Sequence, residues 1–293
     1  MPFLDFVREK NMAEFLSFFK TVQGNEGKLC NYPTRLDTYG CGRSHDCSYC
    51  YAKSLLSFRG LWNINEPRVA DIRKIERVIK RLPAGSVVRL GGMTDCFQPC
   101  EDVHHVTLET IKLLNKYGVG YLIVTKSHLI AEPEYIDALD PALAHVQISV
   151  TNTDNVKAVK YEKASPVSFR LTALERLQER GFDVALRMSP YIAPFIDLVH
   201  IAARNPKKAQ LEFLRVNHWI EKWLGGMVDL SPYTLKHGGY RHLPLDEKVR
   251  QYERIKKALP YTEISVCEDV PEHWQYWRGN VNPNPNDCCN LRV

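Results

Sequence analysis

At 293 residues the chain is long enough for one large α/β barrel or for two ordinary domains. Hydrophobic residues make up 44% and charged residues 25%, which excludes a disordered chain, and no run approaches the roughly 18 apolar residues of a membrane span. The net charge of +5 and pI near 8.6 admit a DNA or nucleotide partner without requiring one, and no membrane partner is expected.

In chain order, Asp5, Arg8, Glu9 and Lys10 interrupt any secretory pattern, so a cytoplasmic protein with reduced thiols is expected. Residues 3 to 20 set Phe3, Leu4, Phe6, Val7, Phe15, Leu16, Phe18 and Phe19 among charges, which predicts an amphipathic helix packed on a core. Gly24 to Gly27 ends it, and a first strand is expected at about 35–39. That strand feeds Y-G-C-G-R-S-H-D-C-S-Y-C-Y, residues 39–51, with Cys41, Cys47 and Cys50. Clustered thiolates select zinc, copper(I) or iron–sulfur clusters. Structural zinc wants four ligands, which His45 would complete; three cysteines alone leave one iron of a 4Fe–4S cluster open to a bound molecule.

A short helix is expected at 51–58 and a longer one at 66–82, with Ile72, Ile75, Ile79 and Leu82 on one face. Its other face carries Arg73, Lys74, Arg77, Lys80 and Arg81 and reads as solvated. Strands are then expected at 86–90, 121–125, 145–150, 184–188, 211–216 and 263–267, with helices at 104–117, 132–139, 167–180 and 246–259. The alternation implies parallel strands with right-handed crossovers in one α/β barrel, full or partial, spanning 1–293. Chemistry in such barrels sits just after the strands. Those positions hold Gly91, Gly92, Thr94 and Asp95, then Lys126, Ser149 and Arg187. Glycines for close backbone approach, cations for a carboxylate and hydroxyls suit a zwitterionic amino acid joined to a nucleoside.

Taken together, Y-G-C at 39–41, C-S-Y-C-Y at 47–51, T-D-C-F-Q-P-x-E at 94–101, V-T-K-S at 124–127 and I-S-V-T at 148–151 resemble the radical S-adenosylmethionine (SAM) superfamily. Within it the chain is similar to the spore-photoproduct-lyase-like group, often labelled "DNA repair photolyase", and the stretch from Tyr161 to R-M-S-P at 187–190 shares the likeness. The resemblance implies a partial (β/α)6 TIM-like barrel with a core at about 34–230, an N-terminal helix at 1–24 and a C-terminal extension at 240–293. It implies that Cys41, Cys47 and Cys50 ligate a 4Fe–4S cluster whose fourth iron chelates SAM. Electron transfer from a donor such as flavodoxin or ferredoxin then yields a 5′-deoxyadenosyl radical that abstracts a substrate hydrogen. Gly91 and Gly92 would meet the SAM amino group, and Thr94, Asp95, Lys126, Ser149 and Arg187 would be polar SAM contacts. Tyr49 and Tyr51 would pack around cluster and adenine. The implied substrate is a nucleic-acid pyrimidine or modified thymine, repaired or rearranged by a monomeric lyase or isomerase. The alternatives are a radical SAM enzyme of a small metabolite or peptide, and a zinc-stabilised nucleic-acid-binding module. The superfamily usually spaces its first two cysteines C-x-x-x-C, whereas five residues separate Cys41 from Cys47, enlarging the loop with Arg43, His45 and Asp46.

Further cysteines lie outside this motif. Cys96 is either a catalytic hydrogen donor, as the resemblance implies, or a small buried residue. Cys100, Cys267, Cys288 and Cys289 could join it in a second cluster, although their spacing forms no recognisable motif. His104 and His105 read as solvent-facing or helix-start residues. In the tail, Trp274 and Trp277 either stack on a base or pack across a barrel opening, and Met188 and Met227 are expected in the core.

Overall fold

The computed structural model describes residues 19–21, 29–40, 45–58 and 68–292. Residues 3–18 of the expected N-terminal helix, Cys41 and Arg43 lie outside the described residues. The strands are β1 (Phe19–Thr21), β2 (Thr34–Leu36), β3 (Tyr39–Gly40), β4 (Arg68–Val69), β5 (Val87–Leu90), β6 (Gly120–Thr125), β7 (Ala144–Ser149), β8 (Asp183–Tyr191), β9 (Lys208–Phe213), β10 (Leu235–His237), β11 (Tyr240–His242) and β12 (Glu263–Val266). One sheet runs β1-β2-β5-β6-β7-β8-β9-β12. All its neighbours pair in parallel except β1, which joins β2 antiparallel at the edge. Six parallel strands, β2 and β5 to β9, make the expected partial barrel, and the C-terminal extension adds a seventh, β12.

Strand alternation sorts the two faces of this sheet. On the face packed beneath the helices, Val146, Ile148, Val184, Leu186, Met188 and Leu211 are buried in the main hydrophobic core. On β7 to β9 the opposite positions are mostly polar and stack in layers inside the barrel, whereas β6 places Leu122 and Val124 there. The first layer joins His145 Nδ1 to Asp183 Oδ2 at 2.7 Å and Lys208 Nζ to Asp183 Oδ1 at 2.7 Å. Above it Arg187 donates to Gln147 Oε1 at 2.8 Å, to Gln210 Oε1, and to Glu212 Oε2 at 2.5 Å. Burial of both faces explains why these strands lack a simple polar–apolar alternation of exposure.

Between the strands lie helices Tyr51–Phe58, Ile72–Ile79, Val106–Lys116, Pro133–Ala138, Val167–Glu179 and Leu245–Ala258. Ile75 and Ile79 are buried, while Arg73, Lys74, Arg77 and Lys80 are exposed, as a solvated basic face requires. Asp71 starts this helix by accepting Arg73 N–H at 2.9 Å, so it is shorter than the expected 66–82, and Arg68–Val69 is a strand instead. Phe19, placed at the end of a helix by its apolar spacing, pairs with Leu36 in the sheet, where edge pairing satisfies its backbone. The expected first strand divides: β2 stays in the main sheet, while Tyr39 turns away to pair with Val69. The strand expected at 211–216 begins earlier, because Lys208 enters the barrel already paired with Asp183, a partnership invisible to hydropathy.

Trp277 is fully buried, with its ring 6.2 Å from that of Phe213 and nearly parallel to it, so this tail residue packs rather than awaits a base. Arg278 lies 4.9 Å from the Trp274 ring. Met188 fills the core, whereas Met227 is 37% exposed, after the glycine pair that follows helix His218–Leu224. His104 is exposed, and His105 joins two helices in a left-handed conformation at φ +50°. No helix among the described residues is long and apolar enough to cross a membrane.

Candidate active site

At the C-terminal ends of the strands one cavity is lined by Cys47, Tyr49, Cys50, Tyr51, Gly91, Gly92, Thr94, Asp95, Lys126, Ser149 and Arg187. Eleven residues singled out from the sequence thus meet on one surface. Cys96 does not join them. It is fully buried beside Phe97, Thr107 donates to its carbonyl at 2.6 Å, and burial pushes its thiol pKa well above the ordinary range.

The cysteine loop is held from outside itself. Ser48 N–H donates to Tyr161 C=O at 2.8 Å and Lys163 N–H to His45 C=O at 2.6 Å. Lys53 and Lys163 clamp Asp46 at 2.6 and 3.1 Å. The Tyr49 hydroxyl donates to Glu162, which Thr151 and Arg170 also bind in a buried network. Cys50 N–H donates to Cys47 C=O at 3.2 Å, and Lys53 N–H reaches Cys50 Sγ at 3.3 Å. Burial pushes the Cys47 thiol up to about 12 and raises that of Cys50. His45 is turned to place Nε2 3.1 Å from Asp95 Oδ2, and burial lowers its pKa while Asp95 opposes that shift.

The glycine turn after β5 is organised by Asp37, just past β2. Its Oδ1 accepts the N–H groups of Gly92, Met93 and Thr94 at 2.8, 2.9 and 3.2 Å. Burial pushes this carboxyl up while those three donors pull it down. The Tyr51 hydroxyl donates to Gly92 C=O at 2.6 Å, tying the turn to the cysteine loop. Asp95 works similarly, accepting Thr125 Oγ1–H at 2.7 Å and Lys126 N–H at 2.7 Å. That fixes the backbone under Lys126, whose ammonium lies 5.6 Å from the Tyr49 ring.

Gly91 has φ +86°, and a Cβ there would sit 2.9 Å from Val124 O and 3.3 Å from Thr94 O, both backbone atoms. Gly91→Ala is therefore expected to lose about 1–3 kcal/mol of stability. Urea unfolding checks this, and a wild-type midpoint would show that the turn yields.

Arg187 differs from its expected role as a free carboxylate partner, since Glu212, Gln147 and Gln210 already engage its guanidinium. Although burial alone would raise it, Arg187 and Arg215 hold the Glu212 pKa at about 2. Ser189 donates to the same carboxylate at 2.8 Å. Sequence reasoning missed Asp37, Glu162, Arg170 and Glu212. Asp37 alone carried a legible signal, being an acid directly after a strand.

Residues 37–192, just over half the chain, match the sequence profile of the radical SAM superfamily. No curated protein matches the chain in sequence. Spore photoproduct lyase complexed with dinucleoside spore photoproduct superposes with a TM-score of 0.61 at 14% identity, covering 85% of this chain and 79% of that one. A double mutant of spore photoproduct lyase, with bound AdoMet and dinucleoside spore photoproduct, gives 0.59 at 15% identity, with 80% and 77% coverage. Streptococcus suis SuiB bound to S-adenosylmethionine gives 0.50 at 11% identity, covering 82% of this chain and 53% of that one. At these identities the likeness is one of fold.

Proposed function

This chain belongs to the radical SAM superfamily, and from that premise we propose that it acts on a nucleic-acid pyrimidine or a modified thymine, as a lyase or isomerase. A 4Fe–4S cluster on Cys41, Cys47 and Cys50, with SAM bound to it, supplies reductive SAM cleavage and hydrogen abstraction. The observation that carries this reading is the convergence of Cys47, Cys50, the Gly91–Gly92 turn, Lys126 and Ser149 on one cavity. The donor set fits: soft thiols for iron beside an ammonium for a carboxylate.

In this reading the chain's residues bind, orient and exclude. Asp37 occupies three N–H groups of the glycine turn and so fixes its conformation for the SAM amino group. Lys126, its backbone pinned by Asp95, offers charge to the SAM carboxylate. Val124, Phe213 and Leu214 line the cavity and keep water from a reactive intermediate. The mutually bonded Arg187, Glu212 and Ser189 line the same cavity and give it a polar wall for a pyrimidine to rest against. The electron would come from a flavodoxin or ferredoxin.

The substrate assignment is supported by the fold of spore photoproduct lyase, whose structures hold a dinucleoside spore photoproduct. To test it, the anaerobically reconstituted protein is given SAM, dithionite and deuterated thymine photoproducts or modified thymidines. Deuterium is expected in 5′-deoxyadenosine. SAM cleavage without label from any pyrimidine would move the substrate to a small metabolite or peptide. A colourless, zinc-only protein after reconstitution would sink the enzyme reading altogether.

A further inference from the structure

We propose that Cys30, Cys267, Cys288 and Cys289 form a second metal site, ligated by thiolates, inside the barrel and separate from the Cys41–Cys47–Cys50 motif. Segments far apart in sequence deliver these residues. Cys30 precedes β2, Cys267 directly follows β12, and the adjacent pair Cys288–Cys289 arrives on the C-terminal tail. Cys267 is carried to the tail pair by β12, whose Ser265 lies opposite Gln210 of β9. Cys30 and Cys288 pack with Cys289 around Tyr32 and Leu122, in a cluster distinct from the main core. Cys96 and Cys100 lie instead in the main core, so the partner that the sequence concealed is Cys30.

Anchors fix this meeting on every side. Gln210 Nε2 donates to Cys288 C=O at 2.7 Å and reaches Cys289 Sγ at 3.5 Å. Ser265 Oγ, near the end of β12, donates to the same Cys288 carbonyl at 2.8 Å. Cys267 N–H is held by Leu211 C=O at 2.8 Å. Asp287 accepts Cys289 N–H at 2.8 Å and the Tyr32 hydroxyl at 2.7 Å, joining the tail to the Cys30 segment. Beyond the pair, Lys208 Nζ donates to Asn290 C=O at 2.6 Å, and Arg292 N–H to Asp183 Oδ2 at 2.9 Å. Placing thiols by this many contacts is the preorganisation a metal site needs, and a packed core does not.

Charge points the same way. Arg89 and Arg187, which line the SAM cavity, also act on Cys289, so cations face what would be an anionic sulfur cage. A disulfide would use two of the four sulfurs and leave the others without a role. A single zinc with sulfurs at about 2.3 Å needs them about 3.8 Å from one another. Four thiolates suit either metal, a single zinc once they close to that separation or a centre of several irons.

The test uses the full chain, purified anaerobically, with differential alkylation before and after chelation. All four cysteines are expected to be protected, and to become labelled once chelator strips the metal, while Cys96 and Cys100 stay unlabelled until denaturation. Metal beyond the about four irons of one cluster is expected, as further iron with sulfide or as about one zinc. Either metal supports the site, and the sulfide assay distinguishes them. The triple variant Cys41→Ala, Cys47→Ala, Cys50→Ala should keep this second complement and lose the first. Adding Cys267→Ser and Cys289→Ser should remove it. Because those variants could unfold, the wild-type alkylation pattern decides: labelling unchanged by chelation, a disulfide among the four, or no metal beyond one cluster overturns the proposal.

Discussion

Cys47→Ala is expected to abolish SAM cleavage while leaving the chain folded. Loss of an outer-shell partner of a metal typically costs ~10–100-fold in affinity or activity. Loss of a ligand in a three-cysteine set should exceed that, taking 5′-deoxyadenosine formation to background. The fold should survive because main-chain bonds and ion pairs position the loop, not the thiol. Ser48, Lys163 and the Lys53–Asp46–Lys163 clamp remain in the variant. The measurement pairs iron and labile-sulfide content with 5′-deoxyadenosine release under dithionite, alongside a far-ultraviolet circular dichroism spectrum. A variant that still holds a full cluster and cleaves SAM would remove Cys47 from the ligand set. A variant that cannot fold would instead assign the thiol a packing role.

How much of this could be read from the chain alone depends on the range of each interaction. The strands were legible because burial on both faces leaves runs such as Tyr121–Thr125 bounded by turn residues. The site was legible because parallel strands deliver the residues after them to one end, whatever the details between. What stayed hidden were pairings between distant charges. Nothing near Glu162 in sequence says that it will accept both Tyr49 and Arg170. Arg187, expected near the end of a strand at 184–188, lies mid-strand because β8 runs on to Tyr191, and its occupation by Glu212 depends on β9 register. Cys30 carried no motif, and only the return of the tail into the barrel brings Cys288 and Cys289 beside it.

Arg170→Ala is expected to be the most destabilising single change outside the cysteines. Arg170 and Glu162 are 1% and 3% exposed, and the guanidinium also donates to Ser149 C=O at 2.9 Å. Removing one member of such a pair leaves a buried charge without compensation, which typically costs about 3–5 kcal/mol. The pH dependence identifies the cause. In the wild type, burial would raise the Glu162 pKa, but Arg170 with Lys126 and Tyr49 holds it below 4.5. A depressed folded-state pKa contributes stability above the unfolded value, lost as pH falls through the folded one. Without Arg170 burial dominates, the folded pKa rises above the unfolded value, and the sign reverses. The variant's deficit should then be largest near neutral pH and shrink as Glu162 protonates toward pH 4.5 and below. Urea unfolding of both proteins across that range measures it, and Glu162→Gln in the variant background should recover part of the loss. A deficit that stays flat with pH would mean that Arg170 serves through its contact with Ser149 and its packing, not through its charge. Because Glu162 also orients Tyr49 beneath Lys126, the destabilised variant should bind SAM more weakly even where it remains folded.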